Sequence, residues 1–323
     1  MTVFDGLTLL GGLSLFLFGM HLMGRALEHR TGGRLERVLQ RITSRKSAGL
    51  FTGMAVTAAV QSSSATTVTV VGFVNSGLMS LRQAIHVIMG ANIGTTVTAW
   101  LLSLAGIESD HFWVRFLKPT SFAPLLAFAG LLLTLIGKSE KRKGIGQIFL
   151  GFAILMFGMD QMSDAVAGLG EVPAFRELFL LFRNPLLGVL AGALLTAIIQ
   201  SSSASVGILQ ALALGGRITY GAVIPIVMGQ NIGTCVTALI SSVGVSKNGK
   251  RAAFAHLIFN IAGTVVWLAV FWLIKLFAAP AFLDLAAVPA GIAAAHTAFN
   301  VLSTLLLLPF SALLEKAVCR IIQ

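Results

Sequence analysis

The chain has 323 residues, of which 56% are hydrophobic and only 11% charged, less than half the roughly 25% usual in soluble proteins. A mean hydropathy of +0.89 and the lack of any long polar tract exclude a soluble enzyme, a disordered tail and a nucleic-acid-binding module. The net charge of +11 is a matter of topology, because the basic residues cluster between apolar runs.

In chain order, runs long enough to span a bilayer, about 20 residues in a helix, fall at 3–24, 84–106, 119–137, 145–163, 219–244, 252–276 and 288–313. The first holds no basic residue before Arg25, so it lacks the positive start of a cleaved signal peptide and is expected to remain as a span. Residues 34–46 then place Leu35, Val38, Leu39 and Ile42 on one helical face and Arg34, Arg37, Arg41 and Arg45 on the other. That pattern suits a helix in the inner membrane interface. Two further apolar stretches, 47–81 and 185–216, are each split by serines into the arms 48–60 and 65–79, and 185–199 and 204–216. Arms of this length reach about 20–22 Å, short of the ~30 Å hydrocarbon core. Both stretches are expected as re-entrant hairpins.

With the N-terminus outside and the C-terminus inside, the inner segments hold seventeen of the 23 basic residues and only four acidic ones. The expected location is therefore the cell inner (plasma) membrane, multi-pass, N-out and C-in. Cys235 and Cys319 have neither disulfide nor metal-ligand spacing.

The chain also repeats itself. Leu17-Phe18-Gly19-Met20 returns as Met156-Phe157-Gly158-Met159, Gln61-Ser62-Ser63-Ser64-Ala65 as Gln200-Ser201-Ser202-Ser203-Ala204, and Asn92-Ile93-Gly94-Thr95 as Asn231-Ile232-Gly233-Thr234. Every pair has the same offset as Gln61 to Gln200, so the copies align without a gap. A unit of three spans and one hairpin is odd, which turns the second copy upside down; the acidic balance of 164–184 against the basic 25–46 agrees. The expected fold is an all-α polytopic membrane protein of two inverted repeats, each with a re-entrant helical hairpin and a broken transmembrane helix. Residues 1–137 form the first repeat, 138–144 an inner linker, 145–276 the second repeat, and 277–323 an additional helix and short tail.

Polar residues at membrane depth are costly and mark function. A hairpin tip presents a helix N-terminus, whose free amides and positive potential suit an anion, while serine oxygens and nearby carbonyls also suit Na⁺. The glycines of Gly90-x-Asn92-Ile-Gly94-Thr95 and Gly229-x-Asn231-Ile-Gly233-Thr234 weaken the helix mid-span. They suit either a break exposing Asn and Thr or close helix packing; Gly49-x-x-x-Gly53 and Gly188-x-x-x-Gly192 are assigned to packing. No Lys, Arg, Asp or Glu lies mid-span, so an anion is expected to arrive with its own cations. Ala255-His256-x-x-Phe259-Asn260 and Ala295-His296-x-x-Phe299-Asn300 place His and Asn on one helical face, suited to structural hydrogen bonds or to an Asn bordering an ion site. His86 is a lone polar residue facing protein.

Three rivals fit less well. An intramembrane serine hydrolase with His256 or His296 as base needs its nucleophile once, not twice. A channel would not concentrate solute. An organic-anion transporter is expected to supply a buried Arg for a carboxylate.

The duplicated Gln-Ser-Ser-Ser and Asn-Ile-Gly-Thr motifs resemble those of the type II sodium–phosphate cotransporter family, across roughly residues 10–310. The resemblance implies a transporter, not an enzyme: a sodium-coupled secondary symporter of inorganic phosphate working by alternating access, with Na⁺ as coupling ion and no other cofactor. Another small anion is the alternative substrate. Phosphate is then expected at Gln61, Ser62, Ser63, Ser64, Gln200, Ser201, Ser202, Ser203, Asn92 and Asn231. Na⁺ is expected at Ser64, Thr66, Thr95, Thr96, Ser203, Ser205, Thr234, Asn260 and Asn300. The implied partners are phosphate, Na⁺ and the lipid bilayer, with no nucleic acid. Two features depart from the pattern: Cys235 stands where the first copy has Thr96, and the 323 residues include no C-terminal regulatory domain of the kind some bacterial members carry.

Overall fold

A computed structural model describes residues 3–40, 46–107, 119–167, 184–215, 218–278 and 280–323, and among them the chain is helical, with no strand. The first half contains α1 (Val3–Gln40), α2 (Lys46–Val60), α3 (Ser63–Asn75), α4 (Leu81–Ser103) and α5 (Pro119–Ile136). The second contains α6 (Glu140–Ala167), α7 (Pro185–Ile199), α8 (Ser202–Leu214), α9 (Tyr220–Ser241), α10 (Lys247–Phe277), α11 (Pro289–Leu307) and α12 (Ser311–Ile321). Their starts follow local chemistry. Ser80 and Gln83 form a capping box on α4, Asn184 caps α7 ahead of Pro185, and Ser246 caps α10 through the Gly249 amide.

Among the described residues, six helices are long and apolar enough to cross a membrane, a property of length and composition. The run at 119–137, expected as a seventh span, is α5, apolar but with a shorter qualifying stretch, Ser121–Ile136. α1 continues through Gln40 without a break, so the basic segment from residue 34 prolongs the first helix; 41–45 lie outside the described residues. The mixed-charge segment 164–184 lies mostly outside them too. Many large apolar side chains face outward, among them Leu7, Phe128, Ile136, Leu194, Val265 and Phe277. In water such a surface would aggregate; in hydrocarbon it is the solvated one.

The two copies fold alike. α2 and α7 are 15 residues each and α3 and α8 are 13, so both serine-split stretches are short helix–turn–helix units. They also pack alike. A Cβ on Gly53 would run into the Val87 carbonyl and one on Gly90 into the Leu50 carbonyl; Gly192 meets Ile226, and Gly229 meets Val189, in the same way. Backbone thus touches backbone where α2 crosses α4 and where α7 crosses α9.

This packing corrects the expected broken helix. α4 and α9 run as uninterrupted α-helices through both Asn-Ile-Gly-Thr motifs. Gly90, Gly94, Gly229 and Gly233 are there for the crossing: even Gly94 and Gly233 sit against the carbonyls of Met54 and Ala193. The propensity cost of glycine is offset by the contact its missing side chain permits.

Around these crossings lie two main cores. α1 and α6 pack together through Phe16, Met23, Leu155, Met156 and Met159, and α5 adds Ala123, all buried. α3, α4 and α10 join through Val70, Val71, Ile85, Ile88 and Phe259.

Candidate substrate site

α2 ends at Val60 and α7 at Ile199, and the next residue in each case turns left-handed: Gln61 at φ 60° and Gln200 at φ 57°. The Gln61 amide donates to Thr57 O and the Gln200 amide to Thr196 O, both at 2.7 Å, closing each helix in a conformation usually left to glycine. A side chain there costs roughly 1–2 kcal/mol. Among the described residues these are the only two non-glycine positions with positive φ. Such strain, repeated at equivalent points, persists where surroundings impose it and clusters at functional sites.

The following serine reverses the chain into the second arm. Ser62 Oγ accepts from the Ala65 amide at 3.1 Å and Ser201 Oγ from the Ala204 amide at 3.2 Å, capping α3 and α8. Helical bonding resumes with the Thr66 amide to Ser62 O and the Ser205 amide to Ser201 O. The amides of Ser63, Ser64, Ser202 and Ser203 thus have no acceptor within their own helices.

Both loops line one cavity of about 500 Å³, together with Leu17, Met20, His21, Gly24, Arg25 and Glu28 of α1. All eight residues expected at the two tips, Gln61 to Ser64 and Gln200 to Ser203, are therefore brought together. The sequence predicts a site without fixed charge and places Arg25 in an inner basic segment; instead the continuous α1 carries Arg25, with His21 and Glu28, onto the cavity wall. The signal was present in the i, i+4, i+7 spacing of these three residues, one helical face continuing past the apolar run.

The remaining expected ligands lie elsewhere, in the helix crossings. Asn92 Nδ2 donates to Asn260 Oδ1 at 2.7 Å and Asn231 Nδ2 to Asn300 Oδ1 at 2.6 Å. Asn260 and Asn300 donate in turn to the carbonyls of His256 and His296, one helical turn back. Thr95 and Thr234 hydroxyls donate to Ala91 O and Gln230 O, and Thr96 to Ile93 O, all within their own helices. Cys235 Sγ lies 3.4 Å from Asn260 Nδ2, so the thiol belongs to the asparagine network. Thr66 and Ser205 stand behind the tips: Thr57 Oγ1 bonds Thr66 Oγ1 at 3.0 Å, while Ser205 Oγ accepts from Gln230 Nε2 at 2.9 Å. His86 pairs with Ser311 at 3.1 Å.

The Na⁺/Pi-cotransporter family matches residues 15–164 and 169–303. The chain belongs to that family. Among relatives, an uncharacterized protein, YqeW of Bacillus subtilis, is 31% identical over 307 residues, 94% of each chain. The putative inorganic phosphate export protein YjbB of Salmonella typhimurium is 28% identical over 98% of this chain, which spans 56% of that relative's length. Human sodium-dependent phosphate transport protein 2B is 34% identical over 44% of this chain and 21% of its own. No solved structure matches the chain. The Na⁺/Pi-cotransporter family is one of membrane transporters, so this member is not an enzyme.

Proposed function

We propose that this chain is a Na⁺-coupled transporter of inorganic phosphate, with substrate bound between the two Gln-Ser-Ser-Ser loops. The observation that carries the reading is their convergence, capped and strained alike, on one cavity that also holds Arg25. The names of the relatives, phosphate export and sodium-dependent phosphate transport, point to the same substrate and ion.

Charge explains the need for a cation. Each helix N-terminus contributes roughly +0.5, so α3 and α8 together supply about +1. Arg25 adds one positive charge and Glu28 removes one. Against a divalent phosphate, about one negative charge remains to be neutralised, which a Na⁺ supplies. Gln61 Oε1, buried and without a hydrogen-bond partner, offers that cation an oxygen, with Ser64 and Ser203 alongside. Binding of either ion then favours the other.

In this reading the copies are inverted, the serine-split units are re-entrant, the N-terminus is outside, and the protein alternates its access between the two sides of the inner membrane. The gradients set direction, so the same cycle serves uptake or export. Radiolabelled phosphate uptake into proteoliposomes tests it. Uptake should require an inward Na⁺ gradient and should fall sharply in Ser63→Ala and Ser202→Ala. Gradient-independent uptake, or full activity in both variants, rejects the mechanism.

A further inference from the structure

A second cavity lies on another side of α1. It has a volume of about 780 Å³ and is bounded by Ala26, His29 and Arg30 of α1, Thr134 of α5, and Glu140, Lys141, Lys143 and Gln147 of α6. None of these residues lines the serine-loop cavity, which takes Leu17, His21, Gly24 and Glu28 from α1. α1 is thus a wall common to both.

We propose that this second cavity is a binding site for a phosphate-bearing anion, with the headgroup of an anionic phospholipid as its occupant of first resort and free inorganic phosphate as the other source of the same chemistry. Its charge is the first reason. Arg30, Lys141 and Lys143 bring three positive charges and Glu140 one negative, leaving about two to be matched. Lys143 Nζ already meets Glu140 Oε1 at 3.1 Å, so Arg30 and Lys141 are the cations left for a ligand. Shape is the second. The three cations come from two helices and face a concave space, whereas charges that only fix topology need no cavity. The site is also built. The Arg30 stem packs beside Gly144, its Cδ about 3.5 Å from where a β-carbon would lie, so α1 and α6 are in contact at this point. Below, Gly146 fits against Thr134 and the Gly130 carbonyl, fixing the crossing of α5 and α6 that forms the floor. α6 also starts here, with Ser139 Oγ accepting from the Arg142 amide, so the positive end of a 28-residue helix adds to the field. Gln147 supplies a neutral donor, while the Thr134 hydroxyl is already given to the Gly130 carbonyl at 2.8 Å. Guanidinium and ammonium groups around a polar hollow between helices, beside an outward apolar surface, match a lipid phosphodiester whose tails remain in the bilayer.

The test uses the full chain, purified in detergent and exchanged through mixed micelles of phosphatidylglycerol and phosphatidylcholine. Retained lipid is counted per protein, and thermal unfolding is followed with and without inorganic phosphate. Wild-type protein should keep phosphatidylglycerol over phosphatidylcholine. The triple variant Arg30→Gln, Lys141→Gln, Lys143→Gln should retain it roughly tenfold less or worse. A control, Lys247→Gln, Lys250→Gln, Lys316→Gln, removes equal charge from exposed positions outside the cavity and should retain it normally. If phosphate instead stabilises the wild type and the control by more than the triple variant, in which only the serine-loop cavity still binds it, with no lipid preference, the occupant is free phosphate. Equal loss in triple variant and control, or no preference and no phosphate effect separating them, overturns the site.

Discussion

Gln61 and Gln200 concentrate the local tension of the molecule, each holding a left-handed backbone with a full side chain attached. Replacing either by glycine should leave thermal stability unchanged or raise it by about 1 kcal/mol, since glycine adopts this φ freely. Valine, whose branched Cβ resists the conformation, should cost about 1–3 kcal/mol. Melting curves of the purified protein separate the two, and phosphate uptake should fall in all four variants. The capping serines allow a cleaner division. Ser62→Ala removes the cap of α3 and should cost about 1 kcal/mol. Ser62→Asp restores it, because aspartate caps as well as serine, yet puts a negative charge into an anion cavity. Stability near wild type with uptake abolished is the expected outcome; uptake retained by the aspartate variant would remove Ser62 from the site. The motif and its duplication were legible in the sequence, as was its polar cost. The left-handed turn was not, because glutamine carries no preference for it and only the converging arms impose it.

At the level of helices, the glycine crossings decide which contacts are fixed. Gly53→Ala or Gly90→Ala would drive a methyl group into a backbone carbonyl that has no freedom to move, and should destabilise by 1–3 kcal/mol or more. Gly72→Ala, with nothing within 4 Å, is the neutral comparison in the same melting experiment. The sequence offered break and packing as readings of the same glycines. Their partners, Leu50, Val87 and their counterparts, have no polar signature, so only the placed helices decide between the two. The asparagines were legible in a similar partial way. The spacing put His256 with Asn260 and His296 with Asn300, but not which helix each would face. In the fold, α10 reaches Asn92 of the first copy with Asn260 and the Met228 carbonyl of the second with Thr264. α11 does the reverse, reaching Asn231 with Asn300 and the Met89 carbonyl with Thr304. α10 and α11 thus make matching contacts, each bonding one copy through Asn and the other through Thr. A double-mutant cycle on Asn92→Ala and Asn260→Ala should give a coupling of about 0.6 kcal/mol, up to about 1.7, as for other hydrogen bonds between membrane helices. Zero coupling would mean the pair is not formed in the bilayer.

Over the whole molecule, the charge balance reads as orientation, because Arg25 lies at the end of an apolar run and only its spacing from His21 and Glu28 signals that the helix continues past it. Placed on the cavity wall, it is the one Lys or Arg among the described residues that lines the cavity of both serine loops. Arg25→Gln should raise the phosphate concentration for half-maximal uptake about tenfold, the scale of one charge-assisted hydrogen bond, and steepen the dependence on Na⁺, since more cation is then needed to balance the anion. Proteoliposome uptake at varied Na⁺ measures both. If neither changes, Arg25 acts on topology after all.

The two serine loops sit on unequal foundations. Behind the first, Thr57 and Thr66 bond each other; behind the second, Gln230 holds Ser205 and the buried Thr196 hydroxyl is left without a partner. In the alternating-access cycle proposed above, two halves on different supports would not open with equal ease. The carrier should therefore be lopsided in time, loading faster from one face of the membrane than from the other. Thermodynamics fixes only the ratio of concentrations at which it halts. The speed at which a cell fills or empties through it would be set by which loop yields first.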